Sequence, residues 1–457
     1  MTPIEHPAAL KMGEWTASLE ISDVPSEALR IAKRCLVDLF AVSIAGADFN
    51  PADMARKIAF TEHGVGKARV FGDHRTTTAS GAAFANGVAA HVLDFDDTSY
   101  AGITHGTAVI GPAVIAAAQH AEVDGKTLLL GLISGSECAY SIGLATGTDP
   151  WFNGWWGTTI YGVIGAAAGA AKVFGLDSRE TASAIALAAF GAGGMVAGLG
   201  TDAKPLSCGI ASNAGVRAAL LAKAGGVGPT SVFEVDRGYA KLFSNNHFDQ
   251  TPLKQLGEKY ALIEPGIFVK PYPCCTATHT SLEALSLLMS TNNLRAQDID
   301  RVTVHAPRMV TKSLVYNNPQ SMQESQFSID FTAGCTMVDG GFQIHHLLPE
   351  ARSSEAIRNA RTKIQMFEDQ SLTTKAETGE VAMECARVEV LTVSGHSFKL
   401  FNNIVTGAPK KPMSDTALDN KFTLCADHVG LDRQVLTDVL QRIRTCEEQA
   451  SVADLWH

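Results

Sequence analysis

Through the first half of the chain, apolar positions recur at helical spacing, and small residues fill many of them. In 22–46, SDVPSEALRIAKRCLVDLFAVSIAG, positions Leu29, Ala32, Leu36, Leu39 and Phe40 share one face, Asp23 or Ser26 is placed to cap, and Gly46 ends the run. A further helix is predicted over 52–60, a short extended piece over 67–73, and a buried Ala-rich helix over 79–92. Helices then follow in close order over 107–121, 125–144, 158–174, 178–190 and 210–224. Ala and Gly along their length let the backbones approach closely, and Gly175 sits where a C-terminal glycine stop belongs. From about residue 265 the period changes. A helix over 278–290 precedes DIDRVTVHA, whose alternation at Val302, Val304 and Ala306 reads as a strand. ARVEVLTVSGHSFKL reads as a hairpin turning at Ser394 and Gly395, with helices near 331–337 and 351–357 between the two. The tail, 414–456, returns to helix. The pattern is mainly α: an all-helical bundle domain followed by a smaller α+β domain.

One stretch breaks the apolar pattern. HVLDFDDTSYAGITHGT, 91–107, carries Asp94, Asp96 and Asp97, the hydroxyls of Thr98 and Ser99, and the imidazoles of His91 and His105 between two core helices. Buried polar groups cost free energy unless each is paired, so such a loop is more often functional than decorative. A purely structural alternative makes Asp97 or Thr98 a helix cap and packs His91 in the core.

Composition narrows the class. At 457 residues, with 46% hydrophobic and 18% charged positions, the chain is long enough for two domains with sizeable cores. A net charge of −10 without a Lys/Arg-rich run argues against nucleic acid or an anionic membrane as partner, and leaves room for a small anionic substrate in a local cationic pocket. The uncharged run 181–201 has the length of a membrane span, yet Gly191, Gly193 and Gly194 break it, so it reads as an internal helix ending in a glycine loop. The N-terminus shows no basic segment followed by an apolar core, and the nine scattered cysteines fit a reducing, cytoplasmic setting without disulfides or zinc spacing.

Four motifs in order carry a resemblance: HVLDFDDT with THGT, GWWGTTIYGVIGAAAGAAKVFGL from Gly154, GTDAKPLSCG from Gly200, and KPYPCCTATH from Lys270. Together they resemble the MmgE/PrpD family, whose members dehydrate, decarboxylate or epimerise compounds such as 2-methylcitrate, cis-aconitate and iminodisuccinate. The resemblance implies a helical domain (1–266) completed by a C-terminal segment (398–457), with an α+β lid (267–397) between them. It implies a homodimer through the helical domain, and chemistry on a small di- or tricarboxylate without a metal or organic cofactor.

That chemistry breaks a C–H or C–CO₂ bond beside a carboxylate, so it needs a base and groups that meet developing negative charge. Lys204, read as lying in a loop before a helix, can meet an anion together with free backbone N–H groups. Lys270 precedes a stiff PYP segment at the domain junction, where pockets form. By resemblance Asp94, His105, Lys204 and Lys270 are the expected catalytic groups and Thr98 lines the pocket, while Asp97 reads as structural. Tyr272 and Cys275 on the stiff segment join the expected substrate-binding set. A thiol nucleophile made of Cys274 or Cys275 with His279 is the weaker reading, since free cysteine is usually a small buried hydrophobe. The chain departs from the family where many relatives carry a histidine and this one has Trp156, and again at Ser207, at Cys275 and, for a tyrosine, near Phe331. Trp156 and Phe331 are therefore expected as aromatic pocket surface, and Tyr161 as a substitute proton donor. The leading expectation is a dehydratase-like lyase. The alternatives are an epimerase, a decarboxylase, or a non-catalytic binder in which the acidic, imidazole and lysine groups lie apart.

Overall fold

The computed structural model describes residues 6–453 and Leu455, so Trp456, within the predicted tail helix, lies outside the described residues. Helices dominate. Ser26–Gly46, Ala79–His91, Thr107–Ala121, Gly125–Thr146, Gly157–Val173, Ser178–Ala189 and Ala203–Lys223 form the bundle. Glycine sets its closest contact. A Cβ on Gly165 would stand 2.5 Å from the Gly135 carbonyl oxygen, and one on Gly169 would stand 2.6 Å from that of Gly131. Two successive levels of Gly–Gly packing thus bring Gly125–Thr146 against Gly157–Val173 at backbone distance. Gly125–Thr146 is long and apolar enough to cross a membrane by length and composition, and 94% of that window is buried inside the protein.

Most predicted elements are present, and their differences have local causes. The last bundle helix starts at Ala203, seven residues before the predicted start, because Pro205 falls in its first turn, where a missing N–H costs nothing. Lys204 is therefore on the helix itself and not in a loop before it. The predicted 351–357 helix is two short helices, Pro349–Ser353 and Glu355–Arg361, divided by Ser354, whose hydroxyl caps the second. The acidic stretch does not cap the helices around it: Val92 ends one and Gly106 begins the other without a side-chain cap.

The α+β part holds a four-stranded sheet ordered Ile364–Glu368, Ile299–Ala306, Ala386–Thr392, Ser397–Asn402. Its first pair is parallel and the others antiparallel. The strand Ile364–Glu368 escapes a reading by alternation because only Ile364 in it is buried. The sheet continues to Asn402, beyond the 397 boundary implied by the resemblance.

Two links fix the site. Thr98–Ser99 pairs antiparallel with Ile267–Phe268, so the acidic stretch is stitched to the segment that leads to Lys270. The tail helix Asp415–His428 returns to Ser26–Gly46. There Lys421 Nζ lies 2.6 Å from Asp38 Oδ1 and donates to the Phe95 carbonyl at 2.6 Å. The tail also closes over Gly125, whose N–H donates to the Gln449 carbonyl at 2.9 Å, and a Cβ there would stand 1.7 Å from the Cys446 oxygen. Gly125→Ala is expected to push the 446–449 turn off the bundle and cost about 1–3 kcal/mol. The check is a lowered unfolding midpoint in a thermal or denaturant melt.

Candidate active site

The helix Ala79–His91 ends beneath the acidic stretch, and the chain reverses at Asp94, which takes φ +49°. Aspartate tolerates this left-handed conformation better than most side chains do. The turn aims the Asp94 carboxylate at two buried ammonium groups. Lys270 Nζ donates to Asp94 Oδ1 at 2.7 Å and to its carbonyl at 2.8 Å, and Lys204 Nζ donates to the same Oδ1 at 3.0 Å. Burial alone would raise the Asp94 carboxyl, but Lys204 and Lys270 outweigh it and hold it well below the usual carboxylate range.

Two imidazoles complete the cluster, their rings 4.8 Å apart. His91 Nδ1 lies 2.8 Å from Asp96 Oδ2, and its Nε2 meets Lys204 Nζ. With Nδ1 protonated toward the carboxylate, Nε2 accepts from the ammonium, and burial pushes the ring down to about 4, so it stays neutral. His105 Nδ1 lies 3.0 Å from the Asp97 carbonyl and 3.3 Å from Asp96 Oδ2, with Thr98 Oγ1 at 3.2 Å. These acceptors place its proton on Nδ1 and leave Nε2 with a free lone pair, 3.8 Å from Asp94 Oδ1. Burial, followed by the Lys270 charge, pushes His105 below its ordinary 6.5, although Asp96 opposes both. The Asp97 carboxyl is set toward Thr107 and Cys35, and burial with Asp38 nearby pushes it up to about 7.

A cavity of about 770 Å³, counted with its open mouth, lies over this cluster. Asp94, Thr98, His105, Trp156, Lys204 and Cys275 of the expected set line it. Lys270 is fully buried and is not among the lining residues, so it acts on Asp94 instead of reaching a substrate. Three expected binding residues are elsewhere. Tyr161 is buried on its helix, its hydroxyl 2.8 Å from Thr146 Oγ1, and its ring fills the space that a side chain at Gly102 would need. Phe331 packs in the lid core, its ring centroid 6.0 Å from that of Phe342. Tyr272 faces a separate groove with Glu283 and Lys411. Ser207 donates to the Lys204 carbonyl at 2.9 Å and does not line the cavity.

The thiol reading fails on electrostatics. Burial raises both thiols, Cys275 to about 11 and Cys274 further, so neither is a thiolate at neutral pH. A metal fits no better. His91, Asp94, Asp96 and His105 place ligand atoms within 4.8 Å of one another, but Lys204 and Lys270 already supply positive charge at Asp94. A divalent ion there would meet two ammonium groups.

Several lining groups carried no sequence signal. Tyr100 donates its hydroxyl to Glu384 Oε1 on the side of the cavity formed by the lid, and burial raises the Glu384 carboxyl. Phe327, also without a signal, joins the expected Trp156, and each places a ring centroid 5.3 Å from Lys204 Nζ. His91 and Asp96 stood within the motif; their partnership became visible only when the turn at Asp94 was formed.

The fold and this cluster define a carboxylate–imidazole–ammonium site between a helical bundle and an α+β lid. The MmgE/PrpD N-terminal domain matches residues 10–251 and the MmgE/PrpD C-terminal domain matches 272–444. The chain belongs to the MmgE/PrpD family. Among relatives, the cis-aconitate decarboxylase-like protein oryM of Aspergillus oryzae is 26% identical, over 96% of this chain and 95% of that protein. Human cis-aconitate decarboxylase is 25% identical over 75% of this chain and 71% of its own length. The Aspergillus terreus cis-aconitate decarboxylase is 29% identical over 60% of this chain and 58% of its own length.

Proposed function

We propose that this protein is a lyase that eliminates water across a Cα–Cβ bond beside a carboxylate. The observation that carries the reading is convergence. Asp94, His105 and Lys204 meet in one cavity, with Lys270 directly behind Asp94, whereas a non-catalytic binder would leave these groups apart. The names of the relatives support a carbon–carboxylate lyase in general.

Lys204 has three N–H donors. Two go to Asp94 and His91, and the third is free for the substrate carboxylate, which lowers the cost of charge built up on it. His105 Nε2, neutral and unprotonated, takes the α-proton. As electrons move into the new C=C bond, the β-hydroxyl leaves as water with a proton from Glu384. Oε1 of Glu384 accepts from Tyr100, so the acid's proton sits on Oε2. The cycle closes when the proton on His105 passes to the Glu384 carboxylate through water. An imidazole that rests unprotonated at Nε2 can take a proton there but has none to give, which favours proton removal over decarboxylation, where the carbanion needs an acid.

Incubation with 3-hydroxy acids in D₂O, followed by proton NMR, tests this. An alkene product supports the lyase. Exchange without alkene identifies an epimerase, and loss of CO₂ a decarboxylase. The pH profile has a definite sign. Activity is expected to fall as pH drops through the His105 pKa, below 6.5, and to fall as pH rises through that of Glu384, above 4.5. Glu384→Gln should lower the rate and remove the alkaline limb, read from kcat/KM against pH.

A further inference from the structure

We infer that the substrate carries a single carboxylate on an apolar body and is not a compact di- or tricarboxylate. This rests on the carboxylate-lyase reading above and names the substrate class of that site.

The charges lead to it. Among the described residues lining the cavity, Lys204 is the one Lys or Arg side chain. Two carboxyl side chains, Asp94 and Glu384, line it as well. Behind them the charges are already matched: Lys204 and Lys270 stand against Asp94 and Asp96 around two neutral imidazoles. One substrate carboxylate completes the donor set of Lys204. A second or third would meet Asp94, neutral polar groups or hydrocarbon but no second cation, and a buried charge without a charged partner is strongly unfavourable.

Most of the remaining wall is apolar, with Thr98, Ser99, Thr276 and Ser313 set among it. Trp151, Trp156, Leu199, Met309, Phe327 and Met383 line the same cavity as the Lys204 ammonium. Because Trp156 and Phe327 both face Lys204 Nζ, a carboxylate bound there places its β-carbon substituent against aromatic rings. An aliphatic or aryl group removes that surface from water, whereas a carboxymethyl group leaves it unmatched.

The test compares 3-phenylpropanoate and 4-methylpentanoate with glutarate and tricarballylate as binding probes, by calorimetry on the whole protein. The apolar monoacids are expected to bind about tenfold or more tighter. Met309→Arg, which adds a second cation to the apolar wall, should move the preference toward glutarate. Equal or tighter binding of tricarballylate by the unaltered protein overturns the inference, and so does absence of binding by every probe. The same D₂O assay with 3-hydroxy-3-phenylpropanoate, malate and citrate separates the two claims. If malate or citrate is dehydrated while the phenyl acid is not, the lyase reading stands and the substrate class falls. If the monoacids bind preferentially and none of the hydroxy acids exchanges or eliminates, the lyase reading falls and the binding class stands.

Discussion

His105→Asn is expected to lower kcat by about 10²–10⁴-fold while KM stays within a few-fold of the unaltered protein. The split follows from the division of labour in the cavity. In the proposed reaction Lys204 holds the substrate carboxylate, and its bonds to Asp94 and His91 do not pass through His105. What disappears is the lone pair on Nε2, which faces the cavity because the Asp97 carbonyl and Asp96 hold the proton on Nδ1. An asparagine amide can keep a donor toward the Asp97 carbonyl, but it is no base. The unfolding midpoint should therefore move little, and the loss should appear equally in α-proton exchange and in alkene formation. Retained exchange with lost elimination would assign the base to another group and leave His105 a role in releasing the hydroxyl.

How much of this was legible in the chain depended on the range of the interaction. Helical periodicity fixes elements whose partners lie four residues away, and the bundle helices other than Ala203–Lys223 appear close to their predicted limits. The sheet strand Ile364–Glu368 lacks that local signal, because its pairing partner lies some sixty residues upstream and only one of its side chains is buried. The site divides the same way. Asp94 and His105 stood out because polar groups between two apolar helices demand partners. The partners themselves, Lys204 and Lys270, are 110 and 176 residues from Asp94 and were joined to it only through the family resemblance. Glu384 had neither a local pattern nor a motif, and Tyr100, though inside the 91–107 stretch, gave no sign of its partner, since their meeting depends on how the lid sits over the bundle. Tyr161, Tyr272 and Phe331 show the converse error. An aromatic side chain beside a motif is more often core than pocket, and each of the three faces away from the cavity, the first and last into packing. Trp156 is the exception because it caps its helix from the cavity side, against His91 and Lys204.

Lys270→Met should have the largest effect on stability, about 3–5 kcal/mol, because it removes one member of a buried ion cluster and leaves the other in place. Lys270 is fully buried and donates to both the carboxylate and the carbonyl of Asp94. Without it Oδ1 keeps only Lys204, and the carbonyl loses this donor at a turn already held in the left-handed region. The Asp94 pKa should rise. His105, which Lys270 helps to depress, should also rise, so the acid limb of the activity profile should move to higher pH. That second readout separates an electrostatic role from simple loss of packing, which would lower the melting temperature without moving the limb. Combining Lys270→Met with Asp94→Asn removes the orphaned charge along with its partner, so the pair should cost less than the sum of the two single changes. Additive losses in that cycle would mean that Asp94 and Lys270 do not act as one unit.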